Sequence, residues 1–190
     1  IENKNKIEMT NAGVGIFGTN GSKLVNDTTG TITVAEKGIG IAANASSKVN
    51  SSDNVTFGTD KAGATGNAVD ILNAGKIDIK GKDSIGISVK NNSDKDRSKV
   101  LVKNTGDIVL GDNGAGISVK STSTSNNEGA TIELAGNITV GAEGIGTYAQ
   151  NSDVKLTDNL NVNVKDSGVG IYLKDNSKIT AESGKKLILN

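Results

Sequence analysis

The chain has 190 residues, enough for one ordinary domain, with no Cys, Pro, His or Trp, and its 21 basic and 21 acidic side chains cancel. These absences exclude a disulfide framework, a thiol nucleophile, a zinc finger, a haem ligand and any His-based triad. A single Arg, Arg97, and the lack of a long basic run speak against nucleic acid as a partner, and no apolar run is long enough to enter a membrane or to form a signal segment.

In chain order, short alternating bursts predict strands with one buried face: Lys6-Ile7-Glu8-Met9, Thr31-Ile32-Thr33-Val34, Lys76-Ile77-Asp78-Ile79, Asn137-Ile138-Thr139-Val140 and Asn161-Val162-Asn163-Val164. This periodicity excludes a disordered chain, which the few aromatics and many small polar residues would otherwise suit. No stretch carries a helical period of useful length. A tetrapeptide recurs between the bursts: GVGI at 13–16, GIGI at 38–41, SIGI at 84–87, GAGI at 114–117, GIGT at 144–147 and GVGI at 168–171. Its second glycines are Gly15, Gly40, Gly86, Gly116, Gly146 and Gly170.

Spacing between repeats turns this pattern into an architecture. From Ile7, Ile32, Ile108, Ile138 and Val162 to the next second glycine is 8 residues, and from Ile77 it is 9. Counting back 8 residues reaches Leu24, Val69, Val100, Ala130, Val154 and Ile179, so two legs of each repeat read as nearly constant and the length variation falls in the third. The predicted fold is all-β: a right-handed parallel β-helix with three strands per coil and about six coils of 24–25 residues. Residues 1–12 read as the end of a preceding coil, and the coils as 13–37, 38–83, 84–113, 114–143, 144–167 and 168–190. Insertions fall at one corner, over 44–68, 91–99 and 121–129, and 38–83 reads as one coil with an excursion more readily than as two. A sandwich would need antiparallel hairpins and an open parallel sheet would need crossover helices; neither is present.

Interior ladders are expected along Ile16, Ile41, Ile87, Ile117, Thr147 and Ile171, and along Ile32, Ile77, Ile108, Ile138, Val162 and Leu187. The glycine row is expected to permit a bend or a positive φ after a corner; a dinucleotide fingerprint is not supported, because a polar corner follows the glycines where a helix would be required. The chain reads as an internal segment of a longer solenoid, with the first two strands of its opening coil missing.

The GVGI/GIGI and GxIxV pairs, in coils rich in Ser, Asn, Asp and Lys, resemble the passenger domains of bacterial type V autotransporter adhesins, and are most similar to the fusobacterial outer-membrane autotransporters of the RadD-like group. The resemblance runs from Ile7 to Leu189. It implies a non-catalytic, monomeric passenger on the bacterial cell surface, anchored by a barrel outside this segment, which binds a host-cell or bacterial surface protein or glycan. No cofactor is implied, and no insertion of this segment into a membrane.

On that reading the corner insertions carry recognition, since loops on a rigid frame are where binding surfaces lie. The candidate contact residues are Asp53, Phe57, Asp60 and Lys61 in the first insertion, Asp94, Lys95, Asp96 and Arg97 in the second, and Ser123, Asn126 and Asn127 in the third. One further regularity bears on them: the residue after each motif is Phe17, Tyr148 or Tyr172 in coils without insertions and Ala42, Ser88 or Ser118 in coils with them. If that position faces outward, the insertions have room to lie over it. A passive stalk is the principal alternative. A polysaccharide-acting enzyme is a weaker one, for which Asp94 with Asp96, or Asp107 with Asp112, are the available carboxylate pairs.

Overall fold

A computed structural model describes residues 1–19, 22–45, 67–92, 99–122 and 130–190. Among the described residues there are twenty strands and no helix. They are β1 (Glu2–Asn3), β2 (Lys6–Glu8), β3 (Val14–Thr19), β4 (Ser22–Asn26), β5 (Thr31–Val34), β6 (Ile39–Ala45), β7 (Asn67–Asn73), β8 (Lys76–Ile79), β9 (Ile85–Asn91) and β10 (Lys99–Asn104). The second half has β11 (Asp107–Val109), β12 (Ala115–Ser121), β13 (Thr131–Leu134), β14 (Ile138–Val140), β15 (Ile145–Gln150), β16 (Asp153–Leu156), β17 (Leu160–Val164), β18 (Val169–Lys174), β19 (Lys178–Ala181) and β20 (Leu187–Leu189).

Every third strand pairs with the next, in parallel. Sheet A runs β1-β4-β7-β10-β13-β16-β19, sheet B runs β2-β5-β8-β11-β14-β17-β20, and sheet C runs β3-β6-β9-β12-β15-β18. One strand from each sheet per coil makes a three-sided parallel β-helix, in the right-handed sense that parallel crossovers adopt. Each coil buries too little on its own to hold a fold, and stacking supplies both the pairing and the burial. The absence of Pro suits ladders in which every backbone N–H is a donor.

The core is a set of aliphatic ladders. Ile41, Ile87, Ile117 and Thr147 are fully buried one above another in sheet C, and Ile32, Ile77, Ile108, Ile138 and Val162 are likewise in sheet B. The register corrects two expectations from spacing. Leu189, not Leu187, stacks on Val162, while Leu187 pairs with Leu160. In sheet A, Leu24 pairs with Ile71, not Val69, and the true ladder continues through Val102, Ile132, Val154 and Ile179. The physical reason is that the A-to-B corner also varies in length: Asn26 leads to Thr31 where Asn73 leads to Lys76, although both ends are in register. A constant residue count therefore lands two positions off in some coils. The opening coil also has one of its two supposedly missing strands, since Glu2 and Asn3 pair with Val25 and Asn26.

The A-to-B corner contains a feature that spacing did not reveal. Asn3, Asn26, Asn73 and Asn104 stack in a buried amide ladder: Asn3 Nδ2 donates to Asn26 Oδ1 at 2.8 Å, Asn26 Nδ2 to Asn73 Oδ1 at 2.8 Å, and Asn73 Nδ2 to Asn104 Oδ1 at 2.7 Å. Asn104 Nδ2 closes the series on Gly106 O at 3.0 Å. Leu134 and Leu156 continue the same row, so the polar ladder gives way to an aliphatic one.

The glycine row has a different cause from the one expected at the sequence level. None of its six members has a positive φ; that conformation falls three residues earlier, on Lys37, Asp83, Asn113, Glu143 and Ser167, with φ between 53° and 58°. A Cβ on Gly40 would sit 2.7 Å from Gly86 O and 3.5 Å from Ile32 Cγ2, and one on Gly86 would sit 2.6 Å from Gly116 O. Gly15, Gly40, Gly86, Gly116 and Gly146 therefore each face inward, against the carbonyl of the next coil, and Gly170 at the end of the row faces Leu189. The residue after each glycine also faces inward, so the alternation of the strand slips by one at this point. Close approach of the neighbouring coil is what demands glycine there.

Candidate functional site

Two surfaces stand out from the frame. The first is the corner between sheets C and A. Strands β6, β9 and β12 are consecutive neighbours whose last residues, Ala45, Asn91 and Ser121, lie in register. Pairing continues one residue further, with Asn92 N donating to Ala45 O and Thr122 N to Asn91 O, each at 2.9 Å. The chain thus leaves the frame from three adjacent points, about 4.8 Å apart by strand spacing. The insertion boundaries shift slightly from those expected, because Asn44 and Ala45 belong to β6 and Asn67 and Ala68 to β7. Asp53, Phe57, Asp60, Lys61, Asp94, Lys95, Asp96, Arg97, Ser123, Asn126 and Asn127 all lie outside the described residues.

Where no insertion occurs, the same corner is tight. Asn151 and Asp175 adopt φ of 48° and 57°, and Ser152 N donates to Ser177 Oγ at 3.0 Å. Asn151 Nδ2 also donates to Ser121 O at 2.9 Å, bracing the coil that precedes it.

The second surface is the outer face of sheet C, which carries three parallel rows. The slip at each glycine turns Val14, Ile39, Ile85, Ala115, Ile145 and Val169 outward, where simple alternation would have placed them inside. Beside them runs Phe17, Ala42, Ser88, Ser118, Tyr148 and Tyr172, the row singled out by sequence, which does face outward. Phe17 is 50% exposed and Tyr172 45%. The Tyr148 and Tyr172 rings stack with centroids 5.4 Å apart and planes within 6°. A polar row follows, with Asn44, Lys90, Lys120, Gln150 and Lys174 in register.

Tyr148 ends the ring stack, since its partner on the other side is Ser118. A recess of about 420 Å³ opens there, with Ile85, Ala115, Ser118, Ile145 and the Tyr148 ring among its walls and Asp83, Asn113 and Glu143 at its rim. Lys120 Nζ lies 5.5 Å from the Tyr148 ring centroid, a cation–π contact of about 0.5–1 kcal/mol at an exposed site. A second recess of similar size lies across Lys120, lined by Lys90, Asn92, Thr122, Gln150 and Asn151. The Tyr148 hydroxyl donates to Gln150 Oε1 at 3.3 Å, and Gln150 Nε2 to Asp175 Oδ2 at 2.8 Å, which fixes the wall between the two.

Several other ionisable groups tie the frame together. Asp107 Oδ1 accepts from Asn137 Nδ2 at 3.0 Å and Asp112 Oδ1 from Ala142 N at 3.1 Å, so both carboxylates tie one coil to the next. Burial acts to raise the pKa of Asp78, but hydrogen bonds from Lys80 and Lys76, at 2.8 and 3.3 Å, outweigh it and hold the carboxyl below its ordinary value. Among the described residues no cluster of acidic side chains is placed to hold a metal ion, and no helix is long and apolar enough to cross a membrane. No family model, curated protein or solved structure matches the chain.

Proposed function

We propose that this chain is a non-catalytic adhesive segment of a bacterial surface autotransporter passenger, a rigid solenoid that displays corner insertions to a host-cell or bacterial surface partner. The observation that carries this reading is the clustering of all three insertions at in-register points of one corner, in consecutive coils. Insertions with no common task have no reason to collect on one edge of a three-edged rod. The frame suits display: its ladders continue on both sides of each departure point, so loop composition is free to vary without disturbing the core.

A passive stalk is the second reading, favoured by the long uninterrupted ladders of sheets A and B. Direct binding separates the two. The purified segment, fluorescently labelled, should bind saturably to host epithelial cells or to bacterial cells; an intact, folded segment that binds to neither is a stalk.

A further inference from the structure

The outer face of sheet C, up to the corner with sheet A, carries a second candidate site built from described residues alone. Lys90 and Lys120 are register partners on adjacent strands, the only like-charged strand pair among the described residues. Like charges placed directly opposite one another destabilise a sheet, and among the described residues no carboxylate forms an ion pair with either lysine. Elsewhere in the described frame, outward charges in register are complementary, as with Lys103 and Glu133 at 3.5 Å or Lys178 and Asp153 at 3.2 Å. One face of the Tyr148 ring is covered by Tyr172, and the other looks across the recess above Ser118. The two recesses meet at Lys120.

The geometry points to a binding site for an acidic saccharide, a pyranose ring bearing a carboxylate, seated between Tyr148 and the Lys90–Lys120 pair. Each part of such a ligand has a counterpart. The C–H face of the sugar takes the next position of the ring stack, against the negative π-face of Tyr148. Ile145, Ala115 and Ile85 provide the apolar floor. The side-chain oxygens of Asp83 and Glu143, which line the recess, can accept from sugar hydroxyls. The ligand carboxylate draws Lys120 from its ring contact and bridges it to Lys90, relieving the repulsion between them. A purely apolar aromatic side chain would satisfy Tyr148 but leave the carboxylates and both lysines unanswered.

The test is ligand-observed and protein-observed NMR titration of the whole chain with 3′-sialyllactose and with a galacturonic acid trisaccharide, against neutral lactose and a short acidic peptide containing Phe. At least one acidic sugar should bind about tenfold or more tightly than lactose, with weakening in added salt. Tyr148→Ser and Lys120→Gln should each weaken binding at least about fivefold. Ser already occupies the Tyr148 row in two coils, so the first variant retains a tolerated side chain. Ser118→Tyr, which fills the recess with a third ring, should abolish binding while circular dichroism and thermal unfolding show an intact fold. A variant with shortened insertions should bind the sugar unchanged, which separates this site from the corner. Binding of lactose equal to that of the acidic sugars, preference for the peptide, no binding of either acidic sugar, or full affinity in folded Tyr148→Ser would each overturn the proposal.

Discussion

Thr147 is the one residue of its interior ladder that is not Ile; it is fully buried, and its hydroxyl has no hydrogen-bond partner. A buried unsatisfied hydroxyl costs about 1–3 kcal/mol, so Thr147→Val, nearly the same shape, should stabilise the protein by about 1–2 kcal/mol. In a thermal melt that is a rise of about 2–8 °C for a chain of this size, and an unchanged or lowered midpoint would contradict it. The glycines offer a paired contrast. Gly86→Ala drives a methyl into Gly116 O and should cost about 1–3 kcal/mol, whereas Gly13, with nothing within 4 Å of an added Cβ, should accept Ala within about 0.5 kcal/mol. Equal losses at the two positions would refute close approach as the reason for the glycine row. Asp78 sets part of the acid response. Its carboxyl is held below the ordinary value, so the stability it contributes is complete above the usual carboxylate range and is lost as pH falls through the depressed value. Asp78→Asn should flatten that part of the acid limb in denaturant titrations between about pH 5 and pH 2.

At the scale of elements, the sequence made the three strands per coil, their order and the interior ladder of sheet C legible, because Ile, Val and Leu repeat there against fixed glycines, but it missed β1. It did not make the A-to-B register legible. There, a two-residue difference in corner length is absorbed without disturbing the strands on either side, and a fixed count cannot detect it. The outward aliphatic row was hidden for a related reason: Ile39 and Ile41 share parity, and only the inward turn at Gly40 sends them to opposite sides. The asparagine ladder could have been found by asking which residue closes each sheet A strand; Asn3, Asn26, Asn73 and Asn104 answer alike. Its two internal members, Asn26 and Asn73, should be the least replaceable. Asn73→Leu removes the partners of both Asn26 and Asn104 and should cost about 2–4 kcal/mol, although Leu134 and Leu156 occupy the same row a few coils away. The same change at Asn104, where one amide neighbour is lost, should cost less, and chemical denaturation of the two variants compares them directly.

For the whole molecule, the frame and the binding surfaces obey different rules. Ladders fix the frame, so its residues can be read from their repetition; the insertions depart from the repetition, and their side chains were identified only by where the repeat is interrupted. The resemblance to autotransporter passengers supplies the surface-display reading, and the clustering of three insertions at one edge supplies its structural support. If the insertions recognise a partner, they should be separable from the solenoid that holds them. The most direct measurement is a cell-binding isotherm for the intact segment beside one for a variant whose three insertions are replaced by the tight turn found at Gln150 to Asp153, with thermal unfolding recorded for both. The variant should lose binding by at least about tenfold, or ~1.4 kcal/mol, at an unchanged unfolding midpoint; equal binding by the two proteins would contradict recognition by the insertions.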